Sequence, residues 1–158
     1  MVRISAPGAA LGGVSRATLR RRAQKMLAYL GLRGVELSLV LAGEPEMRAL
    51  GRHYLGGSRA TDVLAFPMIE GEPVPQGTGL PELLGDVVMC VPVAARQARR
   101  LRRNLLAELT TLLAHGLLHL CGHDHLEPAA ARRMAALAVE LERAAGRRSA
   151  GGPELERE

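Results

Sequence analysis

Seventeen residues, Leu105 to Cys121, are almost wholly apolar, with Asn104 placed to cap them, and they read as one largely buried helix. Two histidines interrupt it. His115 and His119 are one turn apart and share a face, so both imidazoles can reach a single metal ion. Gly122 is placed to end the helix and turn the chain, bringing His123, Asp124 and His125 back beside them. Four of the five histidines of the chain thus fall within eleven residues. Three imidazoles with one open position is the arrangement of a catalytic zinc site. His125 fits as the third ligand, His123 competes with it, and Asp124 offers oxygen. Cys121 lies roughly 200° around the helix from His119 and should point away. The plain alternative, histidines serving as ordinary core or surface residues, suits a lone His better than four in a cluster.

Histidines at the first, fifth and eleventh positions, with Gly at the eighth, match the spacing of the HExxHxxGxxH zinc peptidases. The residue after the first His, where those enzymes keep a general-base Glu, is Gly116. The motif therefore keeps the metal ligands of a hydrolase without the base of a peptidase. Glu108, two turns before His115 on the same face, is a carboxylate able to orient a ligand through its second ring nitrogen, or simply a charged residue near a helix start.

At 158 residues with 47% hydrophobic content the chain can bury one core. The expected organisation is one domain over 1–146 and a Gly/Pro/charge-rich, disordered tail over 147–158. No apolar run reaches the roughly 18 residues of a membrane span, and no signal-peptide pattern opens the chain. Cys90 and Cys121 make no disulfide framework, so the expected compartment is the reduced cytoplasm. The net charge is +5, and every basic residue but Lys25 is Arg. Guanidinium groups suit phosphate, although Arg bias can also reflect coding or a thermophilic source. Aromatic residues make up only 2%, which excludes base stacking on aromatic platforms as a main binding mode.

Read in order, Val2 to Ala6 is a short edge strand ended by Pro7. Ser15 caps a helix with Leu19, Ala23, Met26, Leu27 and Leu30 inward, and Gly31 closes it. Val35 to Ala42 alternates as a strand, and a helix from Glu44 to Tyr54 turns Met47, Leu50 and Tyr54 inward. Thr61 to Pro67 is a strand, Gly71 to Pro81 a mobile loop, and Gly85 to Val91 a continuous apolar run suited to a central strand. Pro92 opens a helix with Ala94, Ala98 and Leu101 inward and with Arg96, Arg99, Arg100 and Arg103 as an outward stripe. Pro128 opens a last helix with Ala131, Met134, Ala138, Leu141 and Ala145 on one face. The fold class expected is α/β (α+β): a small mixed four-stranded sheet packed with about five helices, and a metal-binding helix and turn like that of the zinc peptidases.

Three segments resemble the YbeY family of single-strand-specific endoribonucleases. The signature HGxLHLxGyDH is similar to His115 to His125, ATDVLSFP to Ala60 to Pro67, and LGDIVI to Leu84 to Met89, and a Gln-Ala pair follows at Gln97-Ala98. The resemblance runs over roughly residues 35 to 145. It implies one zinc per chain held by His115, His119 and His125. It also implies a cytoplasmic role on the ribosome or a small-subunit precursor, in maturing the 3′ end of 16S rRNA and in ribosome quality control. Two departures stand out. The family's Tyr before Asp-His is His123 here. The Arg that follows the Tyr of the second helix is Leu55, and the usual Asn is Gly51, so the role of that Arg is not carried over. Arg52 or Arg59 is left to reach the same space.

The favoured reading is a zinc-dependent endoribonuclease with single-stranded RNA as substrate and no membrane partner. Asp124 is the nearest acid able to act as a base, or else it fixes the turn. Arg59, Arg96, Arg99, Arg100 and Arg103 are its RNA-binding candidates, against the alternative of a solvated helix face for the stripe. A metzincin-like peptidase and a non-catalytic, zinc-containing ribosome-assembly factor are the competing classes.

Overall fold

The computed structural model describes residues 1–7, 13–55, 62–67, 82–123 and 126–146, the side chains of 53–55 and 82 excepted. Those residues form four strands and five helices in the order β1 (Val2–Ser5), α1 (Arg16–Tyr29), β2 (Val35–Ala42), α2 (Glu44–Leu55), β3 (Val63–Pro67), β4 (Glu82–Cys90), α3 (Val91–Arg100), α4 (Leu105–Leu120) and α5 (Pro128–Ala144). The expected element order and mixed sheet are both found. The loop expected over 71–81 and the tail expected over 147–158 lie outside the described residues.

The sheet order is β1-β2-β4-β3, with β1 and β2 parallel, β2 and β4 parallel, and β3 antiparallel to β4. Alternation along β2 decides which face meets which helices. Val35, Leu37, Leu39 and Leu41 are buried together with Val87 and Met89 of β4, Leu19 and Met26 of α1, Leu113 and Leu117 of α4, and Leu141 of α5. On the opposite face Ala42, Val88, Cys90 and Leu64 pack with Met47 of α2 in a second, smaller cluster. Burial pushes the Cys90 thiol pKa up, so it behaves there as a small hydrophobe.

A bulge bends β4 where it meets β2: Glu36 pairs with Leu83 and Leu37 with Gly85, leaving Leu84 unmatched. Gly85 has φ +140°, and a Cβ there would run into the Phe66 carbonyl oxygen and Pro67 on β3. Glycine lets the two strands close at this point.

The caps follow the side-chain chemistry. Ser15 Oγ accepts the Thr18 N–H at 3.2 Å, and Asn104 Oδ1 accepts the Ala107 N–H at 2.7 Å. One inward assignment fails. Leu101 is 52% exposed, because α3 ends at Arg100 and Leu101 is already its cap, after which Arg102 (φ +54°) swings the chain toward α4. Among the described residues no helix is long and apolar enough to cross a membrane.

Candidate metal centre and cleft

His115 and His119 stand side by side on α4, both half-buried, and both line a half-open cleft of about 550 Å³. Its α4 wall is one helical stripe: Glu108, Thr111, Leu112, His115 and His119. Asp62 and Val63 at the start of β3 form the second wall, and Ala131, Met134 and Ala135 of α5 the third. The helix stop is a Schellman turn. The Gly122 N–H donates to His119 O at 3.0 Å and the His123 N–H to Leu118 O at 3.0 Å, with Gly122 at φ +90°. The helix therefore stops at Gly122, as the sequence predicts, while Asp124 and His125, expected to return beside the pair, lie outside the described residues.

His123 is half-buried but is not among the residues lining the cleft. Cys121 is exposed at the helix cap and also off the cleft, in line with its place on the helix. Asp124 and His125 lie outside the described residues, as does Arg59. Among the described residues no three His, Cys, Asp or Glu side chains gather as a metal site. His115 and His119 supply two imidazole donors on one face, which fits a zinc ion that would need at least one further ligand.

Asp62 is the functional candidate the sequence reading missed. It sits inside the ATDVL segment already singled out, with no role assigned to it. Its carbonyl accepts the Cys90 N–H at 2.8 Å, and Gln97 Nε2 of α3 donates to its Oδ2 at 3.3 Å. Only the antiparallel pairing of β3 with β4, which is non-local, brings it opposite α4.

Glu108 and the arginine stripe are arranged differently from the sequence expectation. Glu108 is buried, and its Oε2 lies 3.6 Å from Arg103 Nε. Arg103 also donates to Ala107 O at 2.9 Å and to Thr111 Oγ1 at 2.5 Å, and Thr111 in turn donates to Glu142 of α5. Because α3 stops at Arg100, Arg103 is no longer part of a helical stripe and is folded onto α4 instead. Arg96 is paired with Glu44 of α2 at 2.6 Å. Arg99 and Arg100 remain exposed at the end of α3, and Arg52 is exposed on α2.

The described residues thus form a mixed α/β fold whose open cleft brings together two histidines, His115 and His119, and two carboxylates, Asp62 and Glu108. The family model described as endoribonuclease YbeY matches residues 12–145. The chain is 52% identical over 128 residues to a protein named endoribonuclease YbeY from an Anaeromyxobacter strain, covering 81% of this chain and 64% of that protein. It is 43% identical over 136 residues to one of the same name from Bordetella pertussis, covering 82% of each. This chain belongs to the YbeY endoribonuclease family. It spans just under two thirds of the Anaeromyxobacter relative and 40% of a relative from Myxococcus xanthus. A Thermotoga maritima protein solved in solution shares the fold, with a TM-score of 0.56 and 22% identity over 96% of this chain and 99% of that one.

Proposed function

We propose that the protein is a zinc-dependent, single-strand-specific endoribonuclease acting in the cytoplasm on ribosomal RNA, bound to the ribosome or its small-subunit precursor. The observation that carries this reading is the meeting of His115, His119 and Asp62 in one cleft, in a chain of this family. His115, His119 and His125 would hold the ion, one per chain. Zinc there would supply Lewis-acid polarisation of the phosphodiester. The chain's own acids handle the proton. Asp62, oriented by Gln97, is placed in the cleft to take it from an attacking hydroxyl, and Asp124 beside His125 is the second acid available. About 550 Å³ is within the roughly 300–1,000 Å³ of small-ligand pockets, room for part of a nucleotide strand.

The peptidase alternative is weakened by Gly116. A side chain there would collide with Val87, so this helix has no room for a base at that position. Amide hydrolysis also needs the leaving amine protonated. The test uses zinc-loaded protein with unpaired RNA and unfolded casein. RNA should be cut, the cutting should stop on chelation, and casein should survive. Chelator-sensitive casein degradation with intact RNA would overturn the proposal.

A further inference from the structure

The cleft walls carry two carboxylates, Asp62 and Glu108, so phosphate attraction must come mainly from outside them. Arg103 is spent on Glu108 and Thr111, and Arg96 on Glu44. The turn between α3 and α4 is different. Arg99 and Arg100, in the last turn of α3, and Arg102, just beyond it, are exposed and have no ion-pair partner among the described residues. They surround Leu101, which is 52% exposed. Arg102 holds a left-handed backbone conformation (φ +54°) that is unfavourable for a side-chain-bearing residue and that glycine would adopt freely. The next residue, Arg103, is bonded to Thr111, and Thr111 and Glu108 line the far end of the cleft from His119. The cationic turn is therefore continuous with that end. Glu108 and His115 are seven residues apart on α4, about 10 Å along the helix axis.

We infer that the α3–α4 turn is a docking surface for the single-stranded flank of the RNA, so that the bound strand runs along α4 from the histidines to Glu108 and out over Arg99, Arg100 and Arg102. The guanidinium groups take phosphates, and Leu101 offers apolar contact to an unstacked base in a protein that has few aromatic residues for the purpose. This assignment rests on the ribonuclease reading.

The test compares binding of two 2′-O-methyl oligonucleotides, of about 4 and about 16 nucleotides, the range of single-strand sites. Zinc-loaded wild type is set against a variant with Arg99, Arg100 and Arg102 all changed to Gln. A second variant with Arg16, Lys25 and Arg33 changed to Gln loses the same charge elsewhere on the exposed surface. Wild type should prefer the long strand. The turn variant should lose that preference, and its salt slope on the long strand should fall by about 2, at roughly 0.7 per phosphate contact. Its binding to the short strand, the charge-matched control and the melting temperature should hardly change. Equal weakening on both strands, or in both variants, would overturn the assignment, as would an unchanged length preference in a protein that still cuts RNA. Loss of poly-glutamate binding with long-strand binding intact would give the surface to an acidic protein instead. A wild type that binds and cuts no RNA at all removes the ribonuclease reading itself, and this assignment with it.

Discussion

Gly116 of α4 lies so close to Val87 of β4 that a Cβ on the glycine would stand 2.6 Å from Val87 Cγ1 and 3.0 Å from Cγ2. Val87 is fully buried and β-branched, so it has little freedom to give way. This contact sets the helix bearing His115 and His119 against the central strand. Gly116→Ala should cost about 1–3 kcal/mol, as overpacking does. Adding Val87→Ala should recover part of that loss, giving a double mutant more stable than the sum of the single effects. Additive losses in denaturant melts would show that the contact is not what the glycine serves.

Zinc content should be about one per chain and should be lost in His119→Ala. His125→Ala should lose it too, while His123→Ala should keep it, because His123 does not line the cleft. Metal analysis of the three purified variants decides this. Loss in His123→Ala with retention in His125→Ala would reverse the ligand assignment.

Asp62→Asn should keep the zinc and the fold but cut RNA at least about 100-fold more slowly, the low end of what a positioned base contributes. A smaller fall is expected for Gln97→Ala, since Gln97 orients Asp62 through a single 3.3 Å bond. If Asp62→Asn loses zinc instead, Asp62 belongs among the ligands.

Local chemistry made much of this legible in advance. The His pair, the Gly122 stop, the Ser15 and Asn104 caps and the β2 alternation are all written in short spacings, and each is found. Asp62 was not legible in the same way, because its place opposite α4 depends on how β3 pairs with β4. The arginine stripe misled for a related reason. Four residues at helical spacing look continuous, but Leu101 already caps α3 and Arg102 turns the chain, so Arg103 ends on a different helix with Leu101 left exposed. The exposed cationic surface thus includes Arg102, which the stripe omits.

Arg103 should behave as a structural residue. Arg103→Met leaves the buried Glu108 carboxylate without its cation and should cost about 1–3 kcal/mol. Converting Glu108 to Gln as well should return part of that stability, since a buried neutral amide is cheaper than an unpaired charge. The salt slope of RNA binding should stay within one phosphate contact of wild type. A fall of two contacts or more, with no stability change, would make Arg103 an RNA ligand.

Glu44 gives the fold an acid-sensitive link between α2 and α3. Its carboxylate accepts from Arg96 at 2.6 Å, and that hydrogen bond holds its pKa below the ordinary carboxylate value; desolvation opposes it, and the charges of Arg96 and Arg48 add to the lowering. A group with a lowered folded pKa binds protons more readily when unfolded, so acid favours unfolding. Its contribution is fully present above the unfolded value of about 4.3 and disappears as pH falls through the lowered folded value. Glu44→Gln should therefore melt below wild type at neutral pH, with the gap closing as pH falls below the unfolded value of about 4.3 and through the lowered folded value. The bridge is largely exposed, so the gap should also shrink in high salt. A gap that persists unchanged however far the pH is lowered would place the effect of Glu44 in the start of α2 rather than in its pairing with Arg96.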